Sequence, residues 1–154
     1  MSGNAPEIDL PQLPNARVAI ISSSWHLDIC NDLVAGAQRA LTAAAIKDVE
    51  VIYVPGSFEI PLAAQIAFEK GFNAVVAVGL VLEGETPHFD YVCQGVTQGV
   101  MDVSLKFSSP IGFGVLMCNT LDQAIARSGR PGSSEDKGYD SAVAAIRLLQ
   151  LKEG

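Results

Sequence analysis

The stretch "AVVAVGLVLEGETPHFDYV", Ala74 to Val92, changes character in its middle. From Ala74 to Leu82 it is apolar almost throughout, the composition of a strand buried on both faces. Glu83, Gly84, Glu85, Thr86 and Pro87 then break the run. Apolar residues return from Phe89 at helical spacing, through Val92, Cys93, Val96, Val100 and Val103. A doubly buried strand handing over to a long amphipathic helix predicts a βα unit of a parallel sheet.

The same alternation extends in both directions. Upstream, "RVAIIS" (Arg17 to Ser22) reads as a central strand, and Ile29, Leu33, Ala37, Ala40, Leu41 and Ala44 mark a helix between Asp28 and Ala45. Val49 to Val54 reads as a second strand. "PGSFEIP" turns the chain into a helix that has Pro61 in its first turn and ends at Gly71. Downstream lie a fourth strand (Pro110 to Met117), a short helix (Leu121 to Ser128) and a last helix (Lys137 to Leu151). Apolar strands alternating with helices predict an α/β fold, a three-layer α/β/α sandwich around a four-stranded parallel sheet. Residues 1–16, with three prolines and little periodicity, are expected to be an extended arm ordered only where a surface holds it. Residues 17–154 are expected to form one domain.

Hydrophobic residues make up 49% of the 154-residue chain and charged residues 18%, which excludes a disordered protein. A mean hydropathy of +0.29 predicts a sheet covered on both faces and apolar surface buried against other subunits. The net charge of -7 argues against nucleic acid or an anionic membrane as partner. Cys30, Cys93 and Cys118 are odd in number and widely spaced, so they suggest neither a disulfide framework nor a metal knuckle. They read as small buried hydrophobes. The first residues lack a basic segment followed by an apolar one, and no apolar run approaches the ~20 residues of a membrane span. A cytoplasmic protein is expected.

Ligands of parallel sheets bind outside the carboxyl ends of the strands. That rule selects four loops: "SSWH", "PGSFE", "EGETPH" and "CNT". Thr86-Pro87 reads as a helix start, with a hydroxyl N-cap and proline at the first helical position. The open backbone N–H groups beside Gly84 suit a phosphate, although a plain capped helix has the same pattern. His88 follows in the first turn, a proton-transfer candidate. Trp25 is either a core residue or a platform for a planar heterocycle. Glu59 either biases a helix dipole or accepts hydrogen bonds from sugar-like hydroxyls. Arg127 and Lys137 are either solvated helix-end charges or cations for an anionic group. His26 has no evident partner and reads as a surface residue. The chain has no GxGxxG, no P-loop, no GxSxG and no cluster with metal-ligand spacing.

Taken together, "SSWH", "PGSFEIP", "GETPHFDYV", "VTQGVMDVSL" and "GVLMCNTLDQAIARSG" closely resemble the 6,7-dimethyl-8-ribityllumazine synthase family, from about Arg17 to Leu149. The resemblance implies a flavodoxin-like fold. It also implies condensation of 5-amino-6-(D-ribitylamino)uracil with 3,4-dihydroxy-2-butanone 4-phosphate, the penultimate step of riboflavin biosynthesis, with neither metal nor organic cofactor. It makes His88 the proton shuttle and Glu85 and Thr86 the phosphate-binding turn, with Arg127 and Lys137 on the phosphate. Trp25 would stack on the uracil ring, Ser57, Phe58 and Glu59 would surround the ring and ribityl chain, and Leu80, Val81 and Leu82 would hold the pyrimidine through backbone groups. Phe113 and Arg127 would arrive from a neighbouring subunit.

The implied partners are small-molecule substrates and other copies of the chain, in a pentamer or a paired decamer, with functional coupling to riboflavin synthase. A sixty-chain capsid is not expected, because nine residues separate Arg127 from Lys137 and Pro131 stiffens them. One departure stands out: Glu83 occupies a position that is often basic in the family. The rival readings are a non-catalytic flavin or lumazine carrier, a riboflavin synthase of the archaeal type and a flavodoxin-like electron carrier. The first has no reason to keep His88 with Arg127, and the second needs no phosphate clamp. The third lacks a phosphate loop after the first strand.

Overall fold

The strand read first, β3 (Ala74–Leu82), lies inside the sheet, and its first seven residues are buried. The computed structural model describes residues 4–154. Its remaining elements are β1 (Arg17–Ser22), α1 (Leu27–Ala43), β2 (Asp48–Tyr53), a 3₁₀ turn (Ser57–Glu59), α2 (Ile60–Glu69), α3 (His88–Phe107), β4 (Ile111–Cys118), α4 (Leu121–Arg127) and α5 (Lys137–Glu153). All four strands are parallel, in the order β2-β1-β3-β4. Every strand therefore points its carboxyl end to the same side, and the connecting loops gather there.

Side-chain alternation along the central strands splits the core in two. Val18, Ile20, Val76 and Val78 face α1 and α5, packing with Leu33, Leu41, Ile146 and Leu149. Ala19, Ile21, Val75 and Ala77 face α2 and α3, packing with Ile60, Ala64, Val96 and Val100. Each fully buried aliphatic side chain contributes about 1.5–3 kcal/mol. These layers hold the strand ends, and hence the loops, in fixed register. The edge strands depart from the expectation of full burial. In β2, Asp48, Glu50 and Tyr53 are exposed, and in β4 Phe113 is exposed.

Local signals explain most element ends. Gly71, with φ 92°, takes the left-handed conformation that closes α2, and Phe72 N–H donates to the Ala67 carbonyl at 3.1 Å. The reading of Thr86 as an N-cap is corrected. Helix α3 starts at His88 with Pro87 in the capping place, and no side chain caps it. The first turn is closed instead by the Pro87 carbonyl, which accepts from Asp90 N–H at 3.0 Å.

Of the arm, Met1, Ser2 and Gly3 lie outside the described residues. Its later part is held by its own subunit: Leu10 and Leu13 pack on the α1 side of the core, and Leu13 N–H donates to the Ala44 carbonyl at 2.8 Å. Cys30 and Cys118 are buried, whereas Cys93 is only half-buried. Among the described residues no helix is long and apolar enough to cross a membrane.

Candidate active site

At the carboxyl end of β1 the chain makes a serine-rich turn whose hydrogen bonds tie three strands together. Ser23 N–H donates to the Val78 carbonyl at 3.1 Å, and its hydroxyl accepts from Leu80 N–H at 3.3 Å. Ser24 N–H donates to the Pro55 carbonyl at 3.3 Å, and its hydroxyl to the Val54 carbonyl at 2.8 Å. So anchored, the turn projects Trp25 outward, 69% exposed. Core packing is excluded for that ring. His26 takes the left-handed conformation (φ 54°) and its carbonyl accepts from Ile29 and Cys30, which starts α1. The Cys30 thiol donates to the Trp25 carbonyl at 3.2 Å, and burial pushes its pKa up. It is a neutral brace beneath the turn.

Pro55 and Gly56 lead into the 3₁₀ turn, which presents Ser57, Phe58 and Glu59 opposite Trp25. Ser57 is buried, and its hydroxyl has no hydrogen-bond partner. An unpaired buried polar atom costs about 1–3 kcal/mol, so it calls for a function. Phe58 is exposed and lies over Gly95 of α3, where any Cβ would strike its ring. Gly79, in β3, faces the Ser23 and Ser57 hydroxyls with no room for a Cβ. These two glycines are spatial requirements of the site.

Between these loops lies a cavity of about 770 Å³. Trp25, Ser57, Phe58 and Glu59 line one side. The β3 end, Leu80 to Leu82, lines the floor, and Thr86 and His88 line the rim. Nine of the residues singled out from the sequence thus meet in one place. His26, Gly56, Phe89, Tyr91 and Val92 also line it and were not foreseen as site residues. His26 is exposed, as expected, and also forms part of the cavity wall. The loop "SSWH" was among those selected for a ligand, but nothing in the sequence distinguishes this residue within it.

Four candidates stand apart within one subunit. Glu85 lies exposed in the turn after β3 and does not line the cavity. Phe113, 41% exposed, lines a separate apolar groove of about 500 Å³ between α3 and the end of α5. Arg127 ends α4, beyond the carboxyl end of edge strand β4. There its Nη1 donates to the Gln123 carbonyl at 2.9 Å and its Nε lies 3.4 Å from Glu135. Lys137 joins the same carboxylate at 3.1 Å. Glu83 also stays out of the cavity, with its carboxylate held by the Asn119 amide. Among the described residues no group of three or more His, Cys, Asp or Glu could hold a metal ion.

The doubly covered parallel sheet, with an exposed tryptophan, an unpaired buried hydroxyl and a histidine at its carboxyl edge, is the architecture of an α/β enzyme for a small planar substrate. The family model of 6,7-dimethyl-8-ribityllumazine synthase matches residues 15–153. The 6,7-dimethyl-8-ribityllumazine synthase of Streptomyces coelicolor is 50% identical over 147 residues, 95% of this chain and 91% of that one. That of Pseudarthrobacter chlorophenolicus is 50% identical over 152 residues, covering 95% and 94%, and that of Mycobacterium sp. strain KMS is 47% identical, covering 100% and 97%. The chain belongs to the 6,7-dimethyl-8-ribityllumazine synthase family. It is a transferase of riboflavin biosynthesis, and the reading as a non-catalytic carrier is not favoured.

Proposed function

We propose that the cavity binds 5-amino-6-(D-ribitylamino)uracil and that 3,4-dihydroxy-2-butanone 4-phosphate enters beside it at the turn from Gly84 to Thr86. The observation that carries this is the convergence of the exposed Trp25 ring, Phe58, Glu59 and His88 around one cavity at the carboxyl end of β3. The ring stacks on Trp25, Phe58 closes over it, the backbone of Leu80 to Leu82 meets its polar edge, and Glu59 accepts from ribityl hydroxyls. The phosphate lies at Glu85 and Thr86 by the start of α3, where free backbone N–H groups favour an anion. Arg127, Lys137 and Phe113 belong to a neighbouring subunit's contribution: Phe113 lines a separate groove, and Arg127 and Lys137 share a carboxylate beyond edge strand β4.

The pyrimidine amine attacks the ketone, and water leaves to form a Schiff base. Phosphate is then eliminated, the resulting enol tautomerises to a ketone, and the ribitylamino nitrogen attacks that carbonyl, closing the second ring with loss of a second water. His88, exposed at the rim, carries protons between these stages. Alignment of amine and ketone supplies much of the acceleration. His88→Ala is therefore expected to lower kcat only about tenfold, below the ~10²–10⁴-fold typical of acid–base groups. Steady-state kinetics with both substrates check it; a wild-type rate removes His88 from the mechanism.

We further propose a single domain over residues 17–154, a cytoplasmic location and functional coupling to riboflavin synthase. The working unit is a pentamer, or two pentamers paired. Leu62, Met101, Leu105 and Leu151 are each more than half exposed in one subunit, apolar area that subunit contacts would cover. The loop between α4 and α5 is closed by a bridge from Ser128 to Asp136 and stands as a defined bulk against capsid packing. Light scattering is expected to give five or ten times the 16.2 kDa subunit. A mass near sixty subunits contradicts the loop argument, and an active monomer contradicts the shared site.

A further inference from the structure

Arg127 and Lys137 are joined in each subunit through one carboxylate. Glu135 Oε2 lies 3.4 Å from Arg127 Nε, and Glu135 Oε1 lies 3.1 Å from Lys137 Nζ. The backbone fixes Glu135 from both sides: its N–H donates to the Ala126 carbonyl at 3.0 Å, and its carbonyl accepts from Gly129 N–H at 3.1 Å. Its side chain is 19% exposed, against 41% for Arg127 and 26% for Lys137. The carboxylate is thus the best-held member of the group, and the two cations gather on it. Asp140, 3.7 Å from Lys137, brings carboxylates and cations to equal number. The cluster is neutral before any anion arrives. Arg127 still keeps most of its five N–H donors free, because Glu135 meets only Nε and the Gln123 carbonyl accepts from Nη1 alone.

We infer that Glu135 is a positioning residue that sets the strength of the phosphate site, holding Arg127 and Lys137 side by side while cancelling part of their charge. This rests on the assignment of those two cations to the substrate phosphate. The consequence concerns turnover. Inorganic phosphate is itself a product, and two uncompensated cations would retain it. A fixed carboxylate behind them keeps the donors aimed but the net attraction moderate. The phosphate carries between one and two negative charges near neutral pH and lies within a Debye length of Glu135 whenever Arg127 contacts it.

Glu135→Gln keeps the shape and removes the charge. In the assembled enzyme at low salt, the inhibition constant of inorganic phosphate is expected to fall about tenfold, a screened Coulomb effect. The KM for the butanone phosphate should fall with it, while the KM for the pyrimidine stays unchanged. Raising the salt should shrink the gain. Glu135→Asp, which retains the charge, should not tighten phosphate binding. Phosphate inhibition that is unchanged or weaker in Glu135→Gln overturns the inference, as does an equal change for both substrates. Arg127→Ala in the same assay separates the two levels of the argument. If it weakens phosphate while Glu135→Gln does nothing, only the role of Glu135 fails; if it too leaves phosphate inhibition unaltered, the phosphate assignment itself fails.

Discussion

Replacing Arg127 with alanine is expected to raise the KM for the butanone phosphate about 100-fold, the loss of a charge-assisted, two-pronged contact worth roughly 1.5–3 kcal/mol. The pyrimidine should bind within about twofold of its normal affinity, because its platform and floor contain no part of α4. Two effects add in the same direction. The guanidinium donors disappear, and Glu135 is left paired with Lys137 alone, so that a carboxylate formerly shared by two cations repels the incoming phosphate. Folding should be little affected, since Arg127 is 41% exposed and its ion pair lies at the surface. Steady-state KM values for each substrate, with inorganic phosphate as competitor, read the result. Equal losses for both substrates assign Arg127 to structure instead.

Trp25→Ala should give the converse pattern. An aromatic platform under a base-like ring is worth roughly 1–3 kcal/mol by truncation, so the KM for the pyrimidine should rise about 30-fold while that for the butanone phosphate changes little. The turn itself should persist. Its hydrogen bonds run through Ser23, Ser24 and the backbone carbonyl of residue 25, none of which needs the indole. The side chain is 69% exposed, so the melting temperature should stay within a few degrees of wild type. Unchanged pyrimidine affinity, or a melting temperature lowered as by a core truncation, contradicts the platform role.

How much of this was legible beforehand differs by element, for physical reasons. β3 was readable to the residue because a strand covered on both faces writes an uninterrupted apolar run. β2 shifted by one residue, from Val49–Val54 to Asp48–Tyr53, because an edge strand mixes polar and apolar positions. Thr86-Pro87 carries the pattern of a cap, yet the helix begins one residue later, with the Pro87 carbonyl taking the first bonds. Motif resemblance located Ser57, but its burial without a partner depends on β1, β3 and the 3₁₀ turn meeting at Gly79. His26 lay in a loop selected for a ligand, yet as a residue it read only as surface. Glu135 reads in sequence as one charge in "SSEDKG", and its pairing with Arg127 exists only because the loop folds back onto Ala126 and Gly129. Contacts within one loop or one periodic face were visible in the sequence, and those made by chain reversal were not.

At this site a ribitylaminopyrimidine is expected to be joined to a four-carbon ketone phosphate with expulsion of the phosphate. The most direct test mixes the assembled protein with both substrates and follows lumazine absorbance and free phosphate together. Both should appear at equal rates, only when both substrates are present, and more slowly with His88→Ala. Folded, assembled protein that forms no lumazine, or that releases phosphate without it, contradicts the proposed condensation.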